Sequence, residues 1–184
     1  MTQNALTGFA QQLDAEVIKG AQAGRRDCQR QLFETYQRPV QRLIQGMCRD
    51  HELARDLTQD VFLVAFEKVA QLRDPKALGG WLKQLTVNTA LSHFRRPQQQ
   101  TNSDDSAAQL DADDWLSQTD WLQQLDDIDT LLSVLDEHEY QLIWLYLVEG
   151  YSHEELAELL NEQAATVRQR YHRALKKLRQ RSSR

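Results

Sequence analysis

The 184 residues are 41% hydrophobic and carry a net charge of −5, enough for one ordinary domain or two small ones. With only 7 Gly and 3 Pro, the composition excludes a turn-rich sheet fold. The abundance of Leu, Ala, Gln, Glu and Arg points to an all-α protein.

No apolar run reaches bilayer length. The polar start, Met1–Gln12, has no leader pattern. Cys28 and Cys48 lack metal-type spacing and read as small packing groups in a reduced cytosol. Charge is unevenly distributed. Residues 1–96 carry 14 Lys+Arg against 10 Asp+Glu; residues 97–167 carry 17 acids and no Lys or Arg; residues 168–184 carry eight Lys+Arg and no acid. The total argues against nucleic acid, but the distribution argues for it, because a basic patch sets its own local field.

In chain order, residues 14–23 read as a short helix opened by Asp14 and ended near Gly24. Leu32, Phe33, Tyr36, Val40, Leu43, Ile44 and Met47 recur at three- and four-residue steps, which predicts an amphipathic helix bent or restarted at Pro39. Asp50 is placed to cap the next helix, where Leu53, Leu57, Val61, Val64, Phe66 and Val69 build a broad apolar face. Residues 72–80 read as a loop, with Asp74-Pro75 and Gly79-Gly80 as breakers. Trp81, Leu82, Leu85, Val87, Ala90, Leu91 and Phe94 mark a further helix that ends in Arg95-Arg96-Pro97.

Residues 97–119 are polar, acidic and poor in apolar groups. They read as a flexible linker, with Trp115 and Leu116 as apolar exceptions. A second domain, 120–184, opens at Asp120, and Trp121, Leu125, Ile128, Leu132 and Leu135 step along one face. A helix from about Glu137 stops at Gly150. Ser152-His153-Glu154-Glu155 is a capping box for a short helix holding Leu156, Ala157, Leu159 and Leu160. A tight turn at 161–164 leads to a last helix, about 165–179, with Val167, Tyr171, Ala174, Leu175 and Leu178 inward.

Capped short helix, tight turn and basic helix form a helix-turn-helix pattern. Opposite its apolar stripe the last helix carries Arg168, Gln169, His172, Arg173 and Lys176. That face suits the major groove, where Arg pairs with guanine and Gln with adenine. A charge run alone would favour a merely solvated face; cap, turn and stripe together favour DNA. The scattered histidines, His51, His93, His138, His153 and His172, form no catalytic or metal pattern, so neither an enzyme nor a cofactor is expected.

Three stretches carry a family resemblance: Leu135-Asp136-Glu137, Glu149 to Ala157, and Thr166 to Ala174. They resemble the fourth conserved region of extracytoplasmic-function sigma factors, with Asp136, Ala165 and Gln169 where the pattern has Pro, Gly and Ser. Leu32 to Tyr36 with Pro39-Val40, Asp56 to Leu63, and Trp81 through Arg96 resemble the second region, with Ser92 where Asp is frequent. The resemblance implies a non-catalytic, cytoplasmic RNA polymerase subunit of two helical domains, 1–96 and 120–184, joined by the acidic linker 97–119.

It further implies that Thr166, Arg168, Gln169, His172, Arg173 and Lys176 read the −35 promoter element. Arg73, Lys76, Trp81, Asn88, His93, Arg95 and Arg96 would meet the −10 element. There the 73–80 loop would frame a pocket for one flipped base, and Trp81 either packs in the core or stacks on an unstacked base. Asp56, Gln59, Asp60 and Phe62 would grip the clamp helices of the polymerase β′ subunit, with the β flap as a second contact. Promoter DNA and an anti-sigma factor are the other implied partners, with no membrane insertion. The linker acids Asp104, Asp105, Asp111, Asp113 and Asp114 either solvate or mimic RNA in the exit channel. Two rival readings are a sigma-like decoy for an anti-sigma factor and a stand-alone helix-turn-helix regulator.

Overall fold

The computed structural model describes residues 8–94 and 132–182. The chain divides into two compact units between Arg96 and Pro97. Among the described residues there are seven α-helices and no strand. The expected linker 97–119, with its five named acids, lies outside the described residues, as do Arg95, Arg96, Trp121, Leu125 and Ile128.

The first unit begins with α1 (Ala15–Gln22), opened by the Asp14 carboxylate, which accepts from the Glu16 N–H at 2.9 Å. After Gly24, at φ +77°, the chain enters α2 (Arg26–Cys48). Arg49, at φ 54°, ends α2, and Asp50 caps α3 (His51–Lys68) by accepting from Glu52 and Leu53 N–H. Two 3₁₀ turns, Val69–Gln71 and Pro75–Ala77, lead to α4 (Leu78–Phe94).

Tyr36, Val40, Ile44 and Met47 of α2 share a solvent-free core with Ala54, Val61 and Ala65 of α3 and Leu82, Val87 and Ala90 of α4. Burial of each large apolar side chain contributes roughly 1.5–3 kcal/mol relative to exposure. Gly20 lets α1 close on α2: a Cβ there would lie 2.3 Å from Cys28 Sγ. Cys28 is buried and unbridged.

Two expectations are corrected. Pro39 does not restart α2, which runs unbroken from Arg26 to Cys48. Its missing N–H removes one ladder bond, but its ring is buried in the unit. Gly79-Gly80 does not break the chain either; both glycines lie in the first turn of α4.

The second unit holds α5 (Glu137–Leu147), α6 (His153–Leu160) and α7 (Ala164–Ser182). A capping box at Asp136 and Glu139 opens α5. Leu142, Ile143 and Leu145 of α5, Leu156 of α6, and Val167, Tyr171, Ala174 and Leu178 of α7 are buried in its core, with Leu135 just before α5.

Candidate nucleic-acid interface

The helix-turn-helix is built from local signals. Ser152 Oγ accepts from Glu155 N–H at 3.1 Å, and Glu155 Oε2 accepts from Ser152 N–H at 2.8 Å. Two free donors of α6 are thus satisfied reciprocally. α6 stops at Asn161, which adopts φ 54° and returns its N–H to Ala157 and Glu158 carbonyls. Asn tolerates this left-handed conformation better than other side chains bearing a Cβ. Three residues after Asn161 the chain is helical again.

The stripe Val167, Tyr171, Ala174, Leu175 and Leu178 fixes which side of α7 faces inward. At 100° per residue, Gln169, Arg173, Lys176 and His172 then fall on the opposite side, with Thr166 and Arg168 at its margins. Arg168 and Lys176 are exposed, and Thr166, Gln169, His172 and Arg173 are half-buried. All six sequence-derived positions thus share one outward surface.

The flanks of that surface are tethered. On one side Arg168 donates to Glu154 of α6 at 3.2 Å. On the other, Arg170 donates to Glu162 at 2.6 Å, and Lys177 stands 2.6 Å from Oε1 of Glu139 on α5. Among the described residues, Arg173 and Lys176 have no acidic partner. The signal for the tethers was present as Glu154, Glu162 and Glu139, but their pairing depends on tertiary placement.

Behind the surface lies an aromatic cluster. The His153 ring is 4.5 Å from Tyr146 and 5.1 Å from Tyr171, centroid to centroid. Burial, and then the positive Arg168, hold His153 below its ordinary pKa of 6.5. Burial pushes the Tyr171 hydroxyl up.

In the first unit, Asp56, Gln59 and Asp60 are exposed on α3. Phe62 is not available with them: it is 2% exposed, and its ring meets Phe33 at 4.8 Å and Phe66 at 6.0 Å. This corrects its assignment as a contact residue, because α3 buries a wide face that includes position 62. The exposed apolar group is its neighbour Leu63, at 64%, which sequence reasoning passed over.

A groove of about 510 Å³ runs between α3 and α4, lined by Asp60, Leu63, Lys68, Asn88, Ser92 and His93 among others. It brings Asp60, expected to meet protein, beside Asn88 and His93, expected to meet DNA. Arg73 and Lys76 are exposed on the 72–77 loop, where Asp74 accepts from Lys76 N–H at 3.0 Å. Trp81 is half-buried in the first turn of α4.

The family model for sigma-70 region 2 matches residues 32–100, and that for sigma-70 region 4 matches residues 125–178. The RNA polymerase sigma-H factor of Pseudomonas aeruginosa is 26% identical over 177 residues, covering 90% of this chain and 92% of that protein. The ECF RNA polymerase sigma-E factor of Haemophilus influenzae is 27% identical over 183 residues, covering 90% and 94%. The probable RNA polymerase sigma factor RfaY of Xanthomonas campestris is 29% identical over 161 residues; 84% of this chain matches, but only 40% of that longer protein. Among solved structures, CnrH in complex with the cytosolic domain of CnrY shares the fold, with a TM-score of 0.52 at 19% identity over 91% of this chain and 96% of that one. With region 2 followed by region 4 across most of its length, the chain belongs to the RNA polymerase sigma factors of the sigma-70 family, of the extracytoplasmic-function type.

Proposed function

We propose that this chain binds core RNA polymerase and directs it to promoters, reading the −35 element with α7 and the −10 element with α4 and the loop before it. The observation that carries the reading is the outward face of α7. Arg173, Lys176, Gln169 and His172 sit between two tethered flanks, on a helix whose opposite side is fully packed. Such a face offers bidentate donors to base edges and cations to phosphates.

Core binding falls to the exposed α3 side chains Asp56, Gln59 and Asp60, with Leu63 supplying apolar contact. The β′ clamp helices and the β flap are the proposed docking points, and the role is recruitment rather than catalysis. At the −10 element, Arg73, Lys76, Asn88 and His93 offer donors around a stretch that Trp81 borders. Arg95 and Arg96, beyond the described residues, extend that basic set. The proposed setting is the cytoplasm; no described helix is long and apolar enough to cross a membrane. An anti-sigma factor is the proposed regulator, competing for the groove and face that polymerase and DNA use.

Run-off transcription with purified core polymerase on a randomised promoter library tests the reading. A two-part consensus, with spaced −35 and −10 blocks, is expected. Core binding without any selected promoter would instead identify a decoy. Promoter binding without core binding would identify a stand-alone regulator.

A further inference from the structure

The family match begins at residue 32, yet residues 8–22 make specific contacts with both ends of the segment 72–80, the loop and the first turn of α4. At the first end, the Gln22 side-chain amide donates to two backbone carbonyls, Leu72 at 2.8 Å and Val69 at 3.1 Å. At the second end, the Phe9 backbone crosses the start of α4. A Cβ on Gly79 would stand 2.0 Å from the Phe9 carbonyl oxygen, so only glycine admits the crossing.

The crossing segment is itself fixed. Phe9 is 2% exposed and stacks on Tyr36 with centroids 6.4 Å apart. The Tyr36 hydroxyl donates to the Gln11 carbonyl. Gly8, at φ +80°, packs where a Cβ would lie 2.9 Å from Pro39.

We propose that residues 8–22 are a brace that pre-orders the segment 72–80, with Gln22 and Phe9 as positioning residues for capture of an unstacked promoter base. The proposal rests on the −10 reading above for its functional half. A loop ordered before DNA arrives loses less conformational freedom on binding. Neither residue touches DNA; each acts through the backbone it holds. The brace therefore governs strand opening and leaves the core-binding face of α3 alone.

The test uses the full-length chain and three variants. Gln22→Glu is nearly isosteric but cannot donate, so both loop bonds are lost at a half-buried position without opening the core. Phe9→Ala and Gly79→Ala disturb the other end from its two sides. Hydrogen exchange should rise at the amides of residues 72–82 in Gln22→Glu by about tenfold, as local opening becomes easier, while α2 keeps its protection. With core polymerase, Gln22→Glu should bind as the unaltered chain does. It should open a promoter selected by the unaltered holoenzyme about tenfold more slowly, a change of barrier that rate measurements resolve easily.

Unchanged exchange at 72–82 in Gln22→Glu overturns the brace, whether or not the core variants fold. Raised exchange with an unaltered opening rate overturns the positioning role. If the unaltered holoenzyme selects no promoter, the proposed function falls and the positioning role falls with it, while exchange alone still decides the brace.

Discussion

Arg168 and Glu154 face each other across the helix-turn-helix, Nη2 to Oε1, at 3.2 Å. One cation at the margin of the side of α7 proposed to face DNA is thus already engaged by α6. On the proposed reading, DNA would compete for it or accept it as oriented. The pair is half to two-thirds exposed, so it contributes little to folding and its effect belongs to recognition.

Alanine at Arg173, which has no acidic partner among the described residues, should cost about 1–3 kcal/mol of promoter affinity if a bidentate base contact is lost. Alanine at Arg168 should cost less than alanine at Arg173, because Glu154 already satisfies part of it. Fluorescence anisotropy with holoenzyme on matched and mismatched −35 duplexes measures both. Equal affinity for all duplexes in both variants would remove α7 from the reading surface.

The α3 face separates binding from folding. Asp60→Lys combined with Leu63→Ala should reduce core polymerase capture while changing stability by less than about 0.5 kcal/mol per site, as expected for exposed positions. Phe62→Ala should do the reverse, destabilising the first unit by about 3–5 kcal/mol through a cavity beside Phe33. Pull-down with core polymerase and chemical denaturation, run on the same preparations, read the two effects. Loss of core capture in a fully folded Phe62→Ala would restore that residue to the interface.

His153 gives the second unit a pH response. Its folded pKa is depressed, first by burial and then by Arg168; His172 also opposes its charge, and Glu154 favours it. The unfolded chain therefore binds the proton more readily. The stabilising contribution is complete above the ordinary value of 6.5 and is lost progressively as pH falls below it. Thermal melts at pH 7.5 and 5.5 should show a lower transition at the acid value for the second unit, and His153→Phe should diminish that difference. An identical acid shift in His153→Phe would assign the response to other groups.

Lys177 joins α7 to α5 through Glu139, whose side chain is only 10% exposed and also accepts from Asp136 N–H at 3.1 Å. Lys177→Met keeps the aliphatic stem and removes the charge. A loss of about 1 kcal/mol is expected, modest because Lys177 itself is 41% exposed. Urea denaturation monitored by tryptophan and circular dichroism measures it. Glu139→Ala should cost more, because it also removes half of the α5 capping box.

Local chemistry made most of the helices legible. Asp14, Asp50 and Ser152 each cap the helix that their sequence context announced. The six α7 positions share a face because a 3.6-residue period and one apolar stripe suffice to place them. What was not legible depended on distant residues. Gly79 looked like a breaker because its reason for being glycine is Phe9, seventy positions earlier. Pro39 looked like a restart because a lone sequence cannot show that its ring is buried within an unbroken helix. Phe62 entered the contact set with the Asp56 to Leu63 resemblance, which does not show that α3 buries that position.

The two tethered flanks of α7 have a consequence for how such a protein changes over generations. Among the described residues, the inner stripe and the pairs Arg168–Glu154, Arg170–Glu162 and Lys177–Glu139 help hold the helix in place. Gln169, His172, Arg173 and Lys176 belong to neither the stripe nor those pairs. If that face reads promoters as proposed, substitutions there would redirect the chain to a different set of genes without first passing through an unfolded ancestor.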